Sequence, residues 1–152
     1  MNREILFKAK RLSDGEWVEG FPYWGEYSGA FILQNKAYIR RNARTGEISM
    51  GDNVVPIEVD PSTVCQYTGL TDGNGKRVFE GDVLKFRDEP NDYEWIGRVE
   101  FGNPNGSYTW GWQLVHISGP EPNIDTLCWF DMEEGGAYSE VIGSIHDGEG
   151  GQ

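Results

Sequence analysis

Glycine-centred turns interrupt this chain so often that no element between them has room to be long. Gly accounts for 21 of 152 residues, about twice the usual share, and it is spread through the chain rather than gathered in one linker. The clearest case is the stretch from Gln66 to Phe86. There, two short apolar segments, Val64 to Tyr67 and Arg77 to Glu80, flank Thr71-Asp72-Gly73-Asn74-Gly75. Asp-Gly and Asn-Gly accept the positive φ angles of tight hairpin turns, so the spacing predicts strand, turn, strand. Glu80-Gly81-Asp82 then breaks the chain again and launches Val83-Leu84-Lys85-Phe86, a further strand.

The same punctuation runs the length of the molecule. Ile5, Phe7 and Ala9 recur at period two, Ser13-Asp14-Gly15 turns, and Trp17 to Phe21 returns, which predicts an N-terminal hairpin. Ala30 to Gln34 and Ala37 to Arg40 read as a second hairpin around Asn35-Lys36, with a basic knot at Arg40, Arg41 and Arg44 before a further turn at Thr45-Gly46. Met50 to Asn53 reads as a break. Val54 to Val59 is extended, and Pro56 favours an edge position there. Asp60 followed by Pro61 suits a single helical turn. Beyond it, strands are expected at Glu94 to Phe101, Tyr108 to Val115, Thr126 to Phe130 and Ser139 to Ile145. No long helical periodicity occurs. The fold class expected is all-β, with an N-terminal β-hairpin module at residues 1–60 and a small barrel module at residues 61–147, closed so that no edge is exposed. Residues 148–152 read as a frayed tail.

Composition narrows the function classes. The net charge is −12, and it is placed unevenly. Residues 1–44 hold eight basic and five acidic side chains, a net +3, whereas residues 45–152 hold five basic and twenty acidic ones, a net −15. A phosphate backbone is repelled by such a protein, so nucleic acid is not an expected partner. The scattered charge either serves solubility alone, the leading reading, or lets the basic part of one copy meet the acidic remainder of another, or of itself. No apolar run reaches the ~18 residues that span a bilayer, and the polar N-terminus is unlike a signal peptide. Together these predict a cytoplasmic protein without membrane contact. Cys65 and Cys128 are expected as reduced, partly buried thiols.

Catalytic and cofactor motifs almost appear and then fail. Gly75-Lys76 hints at a phosphate loop, but the position five residues earlier is Leu70 and the lysine is followed by Arg77. Asp88, Asp92 and Glu94 alternate as calcium ligands do, yet Tyr93 stands where glycine is needed and Pro90 occupies a ligand place. Cys65, His116, Cys128 and His146 lack zinc-site spacing, and His116 between Val115 and Ile117 reads as a packed or edge residue. No nucleophile sits beside a recognisable base. The expectation is a protein that is not an enzyme and carries no cofactor or metal.

Three blocks carry a resemblance: Arg3 to Ala9, the long block from Gln66 to Phe86, and Glu140-Val141-Ile142-Gly143-Ser144-Ile145-His146. Within the middle block, Tyr67-Thr68-Gly69-Leu70, Asp72, Gly75-Lys76 and Phe79-Glu80-Gly81-Asp82 are the most specific. These residues resemble the YopX family of phage and prophage proteins. The resemblance implies an SH3-like barrel in the C-terminal half, a phage or prophage origin within a bacterial cell, and assembly as a homo-oligomer. It assigns no activity and no catalytic residues.

Two sets of residues are candidates for a binding groove or interface. One is Gln66, Tyr67, Thr68 and Asp82 of the signature, for which a purely structural role competes with a shared groove. The other is Tyr108, Trp110 and Trp112, alternating along one strand. Such a ladder serves a core first, a protein interface second, and base stacking a distant third in so acidic a half. The function expected is that of a non-enzymatic accessory protein, a protein-binding or self-assembling module with a host or phage protein as a further partner. The alternatives are a nucleic-acid-processing accessory, or an acidic DNA mimic that occupies a host DNA-binding protein.

Overall fold

Short strands joined by glycine and Asx turns dominate the molecule. The computed structural model describes residues 5–26, 29–88, 93–106, 110–128 and 139–147. It divides into two compact units, Leu6–Val64 and the residues from Cys65 onward together with Ile5. Strands pair antiparallel in both, and the fold is all-β with one short helix. Among the described residues no helix is long and apolar enough to cross a membrane.

The N-terminal unit contains β1 (Phe7–Lys10), β2 (Trp17–Gly25), β3 (Gly29–Arg41) and β4 (Ile48–Val59), in the sheet order β4-β3-β2-β1. Its first hairpin is the one expected from the sequence. Asp14 shapes the turn: its Oδ1 accepts from the Glu16 N–H at 3.0 Å, and its carboxylate pairs with Arg11 at 2.8 Å. β2 serves two ladders in succession, with Trp17 to Gly20 on β1 and Phe21 to Gly25 on β3. Gly20 sits at the changeover, where an added Cβ would lie 2.4 Å from the Leu33 carbonyl oxygen. Only glycine lets the two strands approach so closely. Ala9, Ala30, Ile32 and Val59 form the buried cluster, with Phe7, Val18, Ile57 and Val64 packed around it. Lys8 and Lys10 are almost buried too, their ammonium groups 4.4 and 5.5 Å from the Trp17 ring centre, which is the range of a cation–π contact.

The second hairpin differs from its expectation. Asn35-Lys36 is no turn: β3 runs unbroken for 13 residues and pairs with β4 from Ala30↔Val59 to Arg41↔Ile48. Met50 to Asn53, read as a break, lies inside β4. The reversal falls at Asn42 to Glu47, around the turn expected at Thr45-Gly46, where Asn42 Oδ1 accepts from the N–H groups of Arg44 and Thr45 at 2.8 and 3.2 Å. Asn-Lys has no glycine to take a left-handed conformation, whereas Asn42 and Gly46 (φ +72°) supply an Asx cap and that conformation together. β4 lies at the sheet edge, as Pro56 requires. Asp60 then caps a single 3-10 turn over Pro61–Thr63 by accepting from the Ser62 N–H at 3.0 Å.

The C-terminal unit contains the hairpin β5 (Cys65–Thr71) and β6 (Arg77–Phe79), then β7 (Asp82–Asp88), β8 (Tyr93–Gly102), β9 (Gly111–Ser118), helix α1 (Ile124–Cys128) and β10 (Ser139–Ser144). The last four strands form a sheet in the order β10-β7-β8-β9. No ladder among the described residues joins β9 to β10, so the ring closure expected of an SH3-like barrel is not seen in them. Val78, Leu84, Trp95, Val99, Leu114 and Leu127 make the core, lined further by Leu70, Phe86, Tyr93, Trp112 and Val141. Phe86 and Trp95 are cross-strand partners whose rings stack at 4.3 Å. The strand expected at Thr126 to Phe130 is replaced, as far as Cys128, by α1. Asn123 caps it, its Oδ1 accepting from the Asp125 N–H at 2.9 Å, and the adjacent Leu127 and Cys128 are both buried. Trp129 and Phe130 lie outside the described residues. Cys65 and Cys128 are free and buried.

Candidate functional site

The signature builds a polar knot around the β5–β6 turn. Asp72 is the centre of it, 6% exposed. Its Oδ1 accepts from the Asn74 and Lys76 N–H groups at 2.8 and 2.9 Å, which folds the Asp-Gly-Asn-Gly turn over the carboxylate. Its Oδ2 accepts from the Val141 N–H at 2.9 Å, across 69 residues of sequence. The Gly73 N–H donates to the Ser139 carbonyl at 2.9 Å beside it. One side chain therefore shapes a turn and holds the start of β10 to it. Asp72 belongs to the family pattern, but its local sequence signal is only an ordinary turn dipeptide, which does not mark a hub.

Glu80-Gly81-Asp82 is the second half of the knot. Asp82 is fully buried, and its Oδ2 accepts from the Phe79 N–H at 2.8 Å. Gly81 takes φ +84°, donates its N–H to the Val99 carbonyl at 2.8 Å and accepts from the Ile145 N–H at 2.8 Å. A Cβ there would stand 3.2 Å from Ile145 Cγ1, so glycine answers both the conformation and the space. The Glu80 N–H donates to the Gln66 carbonyl at 2.9 Å. Burial pushes the Glu80 carboxyl above the usual glutamate range; Glu100 adds to this, while a backbone hydrogen bond from Gln66 and the charge of His146 oppose it.

The signature candidates are thus placed in two kinds of environment. Thr68 is buried, its hydroxyl donating to the Val78 carbonyl at 2.8 Å and accepting from the Leu70 N–H at 3.1 Å. Thr68 and Asp82 hold backbone and present no polar atom outward in these bonds. Tyr67 is half-buried, 5.4 Å from the Phe79 ring and 5.9 Å beneath the Arg77 guanidinium, and Gln66 is exposed. Of the aromatic ladder, Tyr108 lies outside the described residues. Trp112 packs on the core and meets Phe101 edge-on at 5.0 Å. Trp110 precedes β9 and is 78% exposed, so the two tryptophans do not share one surface.

Among the described residues no group of three or more His, Cys, Asp or Glu side chains is placed to hold a metal ion. In the calcium-like pattern, Asp92 and the side chain of Asp88 lie outside the described residues. His116 is on the edge strand β9, its Nε2 2.9 Å from the Gly119 carbonyl and its ring 6.4 Å from that of Trp95.

One exposed apolar face among the described residues has no counterpart in the sequence expectations. It lies on β2, β3 and β4, and includes Phe21, Tyr23, Ile39, Ile48, Met50 and Val54, each more than half exposed. The register puts these on one face, because Phe21 opposes Leu33, Asn35 opposes Val54, Ile39 opposes Met50 and Arg41 opposes Ile48. A shallow groove of about 550 Å³ opens on this face, lined by Phe21, Leu33, Asn35 and Val54 among others. The signal was present as a period-two pattern through Phe31, Leu33, Ala37 and Ile39, hidden by reading Asn35-Lys36 as a turn.

The model of the YopX protein family matches residues 7–149, nearly the whole chain. The chain belongs to the YopX family. The Val141 N–H donates to the Asp72 carboxylate and the Ile145 N–H to the Gly81 carbonyl, so two of the blocks that carry the YopX resemblance are hydrogen-bonded to each other. No curated protein matches this YopX chain. Among solved structures, protein EF1440 from Enterococcus faecalis is similar at 18% sequence identity, with a TM-score of 0.46 and 97% of each chain covered.

Proposed function

We propose that this YopX protein works by binding protein, as a self-assembling β module in an accessory role for a phage or prophage, without catalysis of its own. The exposed apolar face of β2, β3 and β4 carries the reading. Solvent-facing aliphatic and aromatic side chains gathered on one sheet face are the mark of a protein interaction surface. The signature supports it from the other side: Thr68, Asp72 and Asp82 satisfy backbone groups and so serve architecture. The test is sedimentation velocity of the full chain over a range of concentrations, paired with affinity capture from bacterial lysate at low and moderate salt. A concentration-dependent species larger than one chain, or one defined protein retained at moderate salt, is the expected result. A chain that stays monomeric and retains nothing sinks the proposal. Retention only of a DNA-binding protein, lost as salt rises, would favour the acidic-mimic alternative.

A further inference from the structure

We infer that the distal half of the β3–β4 hairpin is an assembly arm that seats on the acidic C-terminal unit of a second copy of this chain. The inference rests on the self-assembly reading above and deepens it. Past Phe21↔Leu33, β3 has no further pairing with β2 among the described residues; the last link is Gln34, whose Nε2 donates to the Glu19 carbonyl at 2.8 Å. From there β3 and β4 pair only with each other for seven residue pairs, Asn35↔Val54 to Arg41↔Ile48. A two-stranded ribbon is marginal in water without a surface to pack on.

The two faces of the arm differ. On one, Tyr38 lies across Gly51, where an added Cβ would come within 2.6 Å of the phenol oxygen. The Arg40 guanidinium stacks 4.7 Å from the same ring. That face is finished. The other carries Ile39 at 72% exposure, Met50 at 76%, Val54 at 62% and Ile48 at 53%, a row of aliphatic side chains with nothing laid over it. Aliphatic groups offer little to a nucleic acid, and they require an apolar partner.

Charge identifies the partner. The arm and its turn hold Lys36, Arg40, Arg41 and Arg44 against Glu47 and Asp52, a net +2 for the arm as a whole; Lys36 and Arg40 stand on the Tyr38 face, Arg41 and Asp52 on the aliphatic face, and Arg44 in the turn. None of these four cations makes an ion pair among the described residues. From Cys65 onward the chain has five basic and sixteen acidic side chains, and that unit also exposes Phe101 and Trp110 at 58% and 78%. An acidic surface with exposed aromatics complements a basic arm with an exposed aliphatic row. Arm against arm would set like charges together.

Sedimentation velocity of the full chain is compared for wild type, for Ile39→Asp with Met50→Asp, and for Arg40→Glu, Arg41→Glu and Arg44→Glu combined. Far-UV circular dichroism confirms that each variant folds; all the substituted side chains are exposed. The expected result is an assembling wild type and a Kd weakened at least about tenfold in both variants. Carbodiimide cross-linking of mixed light and heavy wild-type protein adds a readout independent of the variants. Links from Lys36 of one copy to carboxylates beyond Cys65 of the other are expected. A monomeric wild type overturns self-assembly and the arm together. A wild type that assembles while both variants assemble equally well, or intercopy links from Lys36 confined to residues before Cys65, overturns the arm alone. A shift of duplex DNA by wild type that the triple reversal abolishes would replace the second copy with nucleic acid.

Discussion

Asp72 shows how much one buried carboxylate governs in this protein. Three backbone N–H groups, from Asn74, Lys76 and Val141, converge on it. Truncation leaves those donors facing a void in a part-buried place, and hydrogen bonds to a charged acceptor are the stronger kind. Asp72→Ala is expected to lower unfolding stability by about 3 kcal/mol in urea titration, and Asp72→Asn by less, since an amide oxygen still accepts. Equal, negligible losses would show that the turn holds itself. Glu80 gives the pH-dependent counterpart. Its folded-state pKa is raised, first by burial, so the folded state binds the proton more tightly than the unfolded chain. Between the usual glutamate range and the raised folded value, its contribution to stability therefore falls as pH rises. Glu80→Gln is expected to flatten that slope and leave the protein more stable at neutral pH, as read from chemical unfolding at a series of pH values. A slope unchanged by the substitution would assign the pH response to other groups.

At the scale of elements, the two hairpins that depart from the core have opposite fates. The β5–β6 hairpin is short and packs Val78 and Leu70 into the core of its unit, beneath Leu84 on β7. Leu84 is fully buried, and Leu84→Ala is expected to cost about 3 kcal/mol, the sum of lost transfer energy and the cavity left behind. Thermal and urea unfolding both read that loss. The β3–β4 arm is long and packs little. Its amides from Asn35 to Arg41 are expected to exchange with deuterium quickly in dilute protein and to gain protection as concentration rises, while those of β8 stay protected throughout. Protection of the arm that does not change across the range in which the chain assembles would argue that assembly uses another surface.

For the whole molecule, charge is the property that acts at a distance. A net −12 on a chain this size repels polyanions and keeps copies apart unless a local basic element bridges them. The protein is therefore expected not to retard duplex DNA at about 150 mM salt in a gel-shift assay. Raising salt is expected to weaken self-assembly, since the arm's cations face an acidic partner. Retardation that persists at that salt would move the protein into the nucleic-acid class.

Strand existence and type were legible because the signals are local. A period of two between glycine and Asx turns dictates an extended segment wherever it occurs, as at Phe7 and Ala9 or at Trp95, Val99 and Phe101. Pro56 likewise required an edge, since it has no N–H to donate. Asn35-Lys36 misled because a polar pair mimics a turn locally, whereas twelve cross-strand pairings with β4 decide against it. Thr126 to Phe130 misled in the same way, for a cap at Asn123 outweighs β propensity over so short a span. What the sequence by itself determined is the all-β class, the family and the glycine turns at Asp14-Gly15 and Asp72 to Gly75, which follow from neighbours along the chain. Only the tertiary structure decided that Asp72 holds Val141, that Thr68 and Asp82 face backbone, and that Ile39, Met50 and Val54 share one uncovered face. Each of those depends on which strand lies beside which, and that is settled by packing between residues far apart in the chain.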